Sequence, residues 1–258
     1  MRLEQARVSG QQPCSGEYRI LELEAPAVAA AVRPGQFVHL HLPRREGAVL
    51  RRPFSVFKAG ARSLSVLYKR VGRETTAMTR LTPGDEVSLI GPLGNGFPLD
   101  GGGFPLLVAG GYGVAPLYLL AQRLAVQGVL CVGAAAAADV LCVAEFERIG
   151  WRALVTTEDG SLGRRGLVTD ALDEWLRGAA PPAPEFYACG PDGMLRAVAA
   201  RAAALGARAW LSLDRHMGCG VGACLACVQR IRGEDGAPRW ARVCREGPVF
   251  EAREVVWE

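Results

Sequence analysis

"VAGGYGVAPLYLLA", residues 108–121, passes from a strand signal through a glycine-rich turn into a helix signal. "FPLLVAGG" (104–111) reads as a buried strand, and "VAPLYLLAQRLAVQG" reads as the helix after it. The turn is Gly-Gly-x-Gly-x-Ala-Pro, so the common G-x-G-x-x-G dinucleotide fingerprint is absent. Gly110, Gly111 and Gly113 nevertheless let the backbone approach a pyrophosphate at a helix N-terminus. Ala115 and Pro116 fall in the first helical turn, where proline is tolerated. Taken alone, the stretch also reads as a plain strand–turn–helix.

Downstream the rhythm continues. "VLCVGA", "RALVTTED", "EFYACG" and "ARAWLSL" read as strands, separated by the helical segments "DVLCVAEFERIG", "LVTDALDEWLRG" and "PDGMLRAVAARAAALG". Strands alternating with amphipathic helices imply a doubly wound parallel sheet with crossover helices. "GAAAAAD" (133–139) reads as the turn from a strand into a helix. In an open α/β sheet, ligands bind beyond the carboxyl ends of the strands, which puts Cys189, Gly190 and Pro191 of "YACGPDG" at a ligand edge.

Upstream the pattern is different. "EYRILELEA", "GQFVHLHLP", "SLSVLYK" and "DEVSLIGPLGNG" are short apolar runs bounded by Gly and Pro, with "ETTAMTRL" as a single helix among them. This predicts a small antiparallel β-barrel. In the second run Val38, Leu40 and Leu42 alternate with His39 and His41, so the two histidines share the face opposite the core. "LDGGGFP" (99–105) marks the boundary between barrel and sheet. A Cys- and Gly-rich tail from about residue 212 has little room for its own core. The expected division is therefore 1–100, 101–211 and 212–258.

At 258 residues and 27.5 kDa, the chain has the length for two compact domains and a small third. The formal charge of +4 gives no case for nucleic-acid binding. The N-terminus lacks an apolar core of signal-peptide length, and no stretch approaches the ~20 apolar residues of a membrane span. A cytoplasmic location without membrane contact is expected.

Of eight cysteines, Cys219, Cys224, Cys227 and Cys244 form the pattern C-x4-C-x2-C-x16-C. In a cytosolic chain such a cluster points to metal or redox chemistry rather than to disulfides. Zinc sites usually present two C-x2-C pairs, or one pair with histidines. Three thiolates from one loop and a fourth from a separate segment match the plant-type [2Fe–2S] spacing. Gly218, Gly220 and Gly222, with Ala223 and Ala226, suit a loop that must bend tightly around an inorganic core. A zinc knuckle or buried thiols is the competing reading. With four Cys present, His216 is read as an outer or surface residue. Cys14, Cys131 and Cys142 are read as small hydrophobes.

"LRRPFSV" (50–56) resembles the Arg-x-aromatic-Ser flavin motif of the ferredoxin–NADP reductase superfamily, matched by Arg52, Pro53, Phe54 and Ser55. The superfamily's usual Tyr is Phe54 in this chain, which loses a hydroxyl and keeps the plane. "LYKRVGRETT" (67–76) is similar to the segment that contacts flavin ribityl and phosphate groups there. Leu67, Tyr68, Lys69, Gly72, Glu74 and Thr75 are implied, with Glu74 where relatives have Gly and expected to point away. The turn at Gly110–Pro116 resembles the superfamily's nicotinamide motif, and the resemblance places Cys189 near the nicotinamide as the catalytic-site candidate. No Arg pair follows the second strand of the sheet to hold a 2′-phosphate, which favours NAD over NADP.

Barrel, nicotinamide domain and cysteine tail, in that order, look like the electron-transfer subunit of class 1B dihydroorotate dehydrogenases. "LRRPFS", "GPLGNGF", "LSLDRHMGCGVGACLACV" and "VCREGPVF" carry that resemblance, although this chain has Asp214 and His216 where the family has Glu and Arg. The resemblance implies FAD, a [2Fe–2S] cluster and NAD as cofactors. It also implies a partner catalytic subunit carrying FMN, in a heterotetramer of two chains of each. Electrons from dihydroorotate would reach this chain through the cluster and leave as hydride on NAD+. Other readings keep part of the pattern: the flavin subunit of a sulfhydrogenase or an NADH–ferredoxin transhydrogenase, an oxygenase reductase, or a zinc-stabilised interaction module.

Overall fold

The computed structural model describes residues 1–42 and 50–257. The first element is a long strand, β1 (Arg2–Ser15), which no strong alternation announces because its buried side chains are only Ala6 and Val8. It forms because it pairs along both edges, with β2 (Tyr18–Glu24) and with β6 (Glu86–Leu93). Between them lie helix α1 (Pro26–Ala29), β3 (Phe37–His41), β4 (Arg52–Ala59), β5 (Ser63–Lys69) and helix α2 (Arg73–Met78). The six strands close in the order β1-β2-β5-β4-β3-β6, so the barrel has no free edge. Leu21, Leu23, Val38, Leu40, Val56, Val66, Val87 and Leu89 fill it.

The predicted alternation on β3 holds, with Val38 and Leu40 inside the barrel. His39 nonetheless has no exposed surface. The outer face of β3 is covered by the cysteine-rich tail, and Phe37 shares one core with Cys227 and Cys244.

The second body contains β7 (Phe104–Gly110), α3 (Val114–Ala121), β8 (Val129–Ala134), α4 (Val143–Arg148), β9 (Arg152–Thr157) and a two-residue β10 (Arg164–Arg165). It continues through α5 (Val168–Ala179), β11 (Pro184–Cys189), α6 (Asp192–Ala204) and β12 (Arg208–Ser212). Helix α3 is shorter than its sequence pattern because the buried run ends at Ala121 and Gln122 is exposed. Residues of α3 and α4 pack in one core and those of α5 and α6 in another, so the sheet is covered on both faces as expected.

The tail adds a hairpin, β13 (Val228–Arg232) and β14 (Pro238–Arg242), and a last strand, β15 (Val249–Glu251). β15 pairs antiparallel with β12, giving a sheet in the order β10-β9-β8-β7-β11-β12-β15. Ile231, Ala241, Val243 and Phe250 share a core with Phe186 and Leu195 of the parallel body. The tail therefore folds on its neighbours, consistent with its having no core of its own. The turn "GPLGNGF" is held from both sides: Gln36 Nε2 donates to the Gly94 carbonyl at 2.7 Å, and Asn95 Nδ2 donates to the Glu246 carbonyl at 2.9 Å.

A polar clasp joins barrel and sheet away from the tail. Tyr18 Oη and Lys69 Nζ each donate to Asp139 Oδ1 at 2.9 Å. The Lys69 hydrogen bond, seconded by Tyr18, holds the Asp139 carboxyl below its usual value. A carboxyl depressed on folding stabilises above its unfolded pKa, about 3.9, and loses that contribution as pH falls through the folded value. Asp139→Asn is expected to unfold more readily than wild type at pH 7. The gap should close on acidification below about pH 4, read by circular dichroism on thermal melts across pH.

Candidate functional site

The flavin-type motif lies on β4, where Arg52 is exposed and Pro53, Phe54 and Ser55 are half-buried. Its register with β3 is fixed by the ladder Phe37↔Ser55, Val38↔Phe54, His39↔Pro53 and Leu40↔Arg52. Residues directly opposite share a face. Ser55 and Pro53 thus sit on the outer face with Phe37 and His39, whereas Arg52 and Phe54 alternate with them. The Phe54 ring meets Tyr68 edge-on at 6.2 Å.

On β5, Leu67 and Tyr68 are buried, and the Tyr68 hydroxyl donates to Gln11 Oε1. Only the backbone of these two is left to face a ligand. Lys69 is committed to Asp139, so the positive charge expected beside phosphate is engaged in the domain clasp. At the start of α2 the Thr75 hydroxyl accepts from the amides of Val71 and Gly72 at 2.9 and 3.0 Å. It therefore closes the turn itself. Glu74 is half-buried in the first turn.

In the parallel body the strand order reverses between β7 and β11, the switch point where open α/β sheets bind ligands. Gly110, Gly111 and Gly113 leave the end of β7, and Cys189, Gly190 and Pro191 leave the end of β11. The two turns touch along their backbones. A Cβ on Gly113 would lie 2.0 Å from the Cys189 carbonyl oxygen, and one on Gly110 would lie 2.6 Å from Pro191 Cδ. Ala115 and Pro116 are buried in the first turn of α3, as their sequence places them.

Cys189 is half-buried at this edge. Burial, aided by the Asp214 carboxylate and opposed by a hydrogen bond with Ser212, pushes its thiol up to about 12. The group is a neutral thiol at neutral pH, suited to packing and weak hydrogen bonding rather than to nucleophilic attack. Sequence reading missed Tyr112, whose hydroxyl donates to Asp214 Oδ2 at 3.2 Å and ties the glycine turn to the segment that leads into the cysteines.

The four tail cysteines come together as two pairs. Cys224 lies against Cys219 and Cys244 against Cys227, each through its backbone amide on the other's sulfur. Ala223 and Cys224 amides donate to Cys219 Sγ at 3.2 and 3.4 Å, and the Cys244 amide donates to Cys227 Sγ at 3.3 Å. Burial raises the Cys219 thiol, but the amides of Val221, Cys224 and Ala223 outweigh it and bring the group down to about 6. Sulfur ringed by backbone N–H groups is what a thiolate-bound cluster needs. Among the described residues no three His, Cys, Asp or Glu side chains converge on one ion. Four thiols from a loop and a separate segment, with amides on their sulfurs, would suit the ligand set of a two-iron core. His216 is exposed, in line with its reading as an outer residue. Cys131 and Cys142 are buried in apolar cores and Cys14 packs against one, and the sulfurs of Cys14 and Cys142 lie 3.8 Å apart across the barrel–sheet junction.

Solved structures share this architecture. A ferredoxin–NADP+ reductase from Neisseria gonorrhoeae with bound FAD and NADP superposes with a TM-score of 0.65 over 80% of this chain and 92% of that one. At 15% identity it speaks for the fold alone. An NADH-dependent reduced ferredoxin–NADP oxidoreductase, studied for flavin-based electron bifurcation, superposes at 0.86 with 30% identity, covering 98% of this chain and 90% of that one. The oxidoreductase NAD-binding domain model matches residues 107–200. The class is that of ferredoxin-reductase-like oxidoreductases extended by a cysteine-rich tail.

The tail narrows it. Residues 214–256 match the iron–sulfur cluster binding domain of dihydroorotate dehydrogenase B. The electron transfer subunit of dihydroorotate dehydrogenase B (NAD(+)) from Geobacillus thermodenitrificans is 43% identical, over 92% of this chain and 91% of that protein. Its counterpart from Bacillus caldolyticus is 40% identical over 98% of each. The chain belongs to this family of electron transfer subunits.

Proposed function

We propose that this protein carries electrons from a dihydroorotate-oxidising subunit to NAD+, using FAD and a [2Fe–2S] cluster. When bound, the nicotinamide exchanges a hydride, the cluster exchanges single electrons, and the flavin couples the two. Arg52, Pro53, Phe54 and Ser55, the Leu67–Lys69 backbone, and Gly72, Glu74 and Thr75 form the flavin seat. Gly110, Gly111, Gly113, Ala115, Pro116, Gly190 and Pro191 accept the pyrophosphate, with Cys189 against the nicotinamide. Cys219, Cys224, Cys227 and Cys244 would hold the [2Fe–2S] cluster. This assigns residues 1–100 to flavin, 101–211 to nicotinamide and 212–258 to the cluster.

The observation that carries the reading is the aspect of the cysteine loop. Cys227 and Cys244 are buried against the parallel body, while Cys224 is exposed and Leu225 beside it is 62% exposed. A buried inner pair and an outer pair whose Cys224 is exposed make a port that opens to a partner. The partner is a dihydroorotate dehydrogenase catalytic subunit carrying FMN, in a heterotetramer with two chains of each, located in the cytoplasm. No helix among the described residues is long and apolar enough to cross a membrane.

Purification from the native source is expected to bring down a dihydroorotate-oxidising chain with NAD+-dependent orotate formation. Recovery of hydrogenase subunits in its place would overturn the reading. Leu225 gives a sharper test. Its φ is +57°, a conformation that Asp tolerates, so Leu225→Asp removes the apolar tip without straining the loop. The variant is expected to keep its iron and its NADH-dependent dye reduction, and to lose at least tenfold in affinity for the catalytic subunit by titration calorimetry.

A further inference from the structure

His39 is fully buried, and among the described residues neither Nδ1 nor Nε2 has a hydrogen-bond partner. Leaving one buried polar group unmatched costs about 1–3 kcal/mol, and this ring leaves two. The surroundings show where a partner belongs. A Cβ built on Gly220 would lie 2.4, 2.5 and 2.7 Å from Cε1, Nε2 and Nδ1 of His39. The polar tip of the imidazole is therefore pressed against the residue that follows Cys219. Gly220 has φ +70°, so both its backbone and its missing side chain are required for this approach.

The rest of the outer face of β3 agrees. Phe37, 5.7 Å from the His39 ring centre, and Ile90 pack with Met217, Val221, Cys227 and Cys244. His39 thus reaches from the flavin-bearing barrel into the shell of the cysteine loop. Among the described residues no group accepts from it, the cysteine sulfurs included, and a two-iron centre brings acceptors of its own. The non-protein acceptors of a two-iron centre are its inorganic sulfides.

We propose that His39 is a positioning and tuning residue that donates an N–H hydrogen bond to an inorganic sulfide of the [2Fe–2S] centre from the barrel side. The inference rests on the reading of the four cysteines as that centre's ligands. A donor on cluster sulfur stabilises the reduced, more negative state and raises its reduction potential. The contact would also tie the flavin-bearing barrel mechanically to the cluster loop.

The test uses the full chain, anaerobically reconstituted and labelled with 15N-histidine. Pulsed EPR of the reduced centre is expected to show a histidine nitrogen coupling in wild type and in His216→Gln, and none in His39→Leu. In a redox titration His39→Leu is expected to shift the cluster midpoint negative by roughly a tenfold change in ratio, about 59 mV for one electron, with FAD content unchanged. His39→Gln, which keeps an N–H donor, should recover part of the shift. A wild-type centre without histidine coupling overturns the proposal without recourse to any variant. So does a His39→Leu shift confined to the flavin couple, which would put the acceptor on the flavin. Wild-type protein that takes up no iron would instead overturn the cluster reading itself.

Discussion

Cys224→Ser is expected to abolish the visible iron–sulfur absorbance and dihydroorotate-linked NAD+ reduction, while NADH-dependent reduction of a dye persists at near wild-type rate. Cys224 is exposed in the C-x4-C-x2-C loop, whereas Cys227 and Cys244 belong to the apolar core. Its loss removes one of four iron ligands without opening a cavity in that core. The nicotinamide cradle between β7 and β11 and the flavin strand β4 are built from other segments, so hydride exchange with NADH does not depend on it. Iron analysis, the visible spectrum and the two assays check the result. Loss of dye reduction in a folded, flavin-loaded variant would show that electrons from NADH enter by another order.

The second large effect concerns Gly113. Its Cβ position is occupied by the Cys189 carbonyl oxygen at 2.0 Å, and neither atom belongs to a side chain that could rotate away. Gly113→Ala therefore forces apart the ends of β7 and β11. Overpacking of this kind costs about 1–3 kcal/mol. It also moves Gly190 and Pro191 away from the place where a pyrophosphate would lie. The expected outcome is a fall in melting temperature and a rise of at least tenfold in KM for NADH, with bound flavin retained. Gly193 is the control: nothing lies within 4 Å of its Cβ position and it sits in α6, so Gly193→Ala is expected to be neutral or mildly stabilising.

Much of this was legible in the sequence because it is written in local patterns. The strands of the parallel body are continuous apolar runs, the glycine turn sits between strand and helix, and cysteine spacing is a one-dimensional record of a loop around a core. What escaped depends on contacts distant along the chain. β1 carries few apolar residues and is held by two neighbours, so its own composition is a weak strand signal. Lys69 and Thr75 have the residue types of a phosphate site, yet their side chains are engaged by Asp139 and by the amides of Val71 and Gly72. The alternation in "FVHLH" placed His39 on the outer face correctly, and only the folded chain shows that the tail covers that face. The Cys14–Cys142 approach, 128 positions apart in sequence, left no local trace at all.

The last strand has a consequence for how the chain survives without its metal. β15 covers the edge of β12, and it reaches that edge only after the chain has passed through Cys219, Cys224, Cys227 and Cys244. Should the loop lose its form far enough to draw Phe250 out of the core it shares with Phe186 and Leu195, the three-residue β15 leaves with it. The backbone of Arg208–Ser212 would then present unpaired N–H and C=O groups to solvent. An uncovered sheet edge is a template for pairing between molecules. The cluster loop thus doubles as a guard against self-association, and protein prepared without iron should be stored dilute and watched for aggregates nucleated at β12.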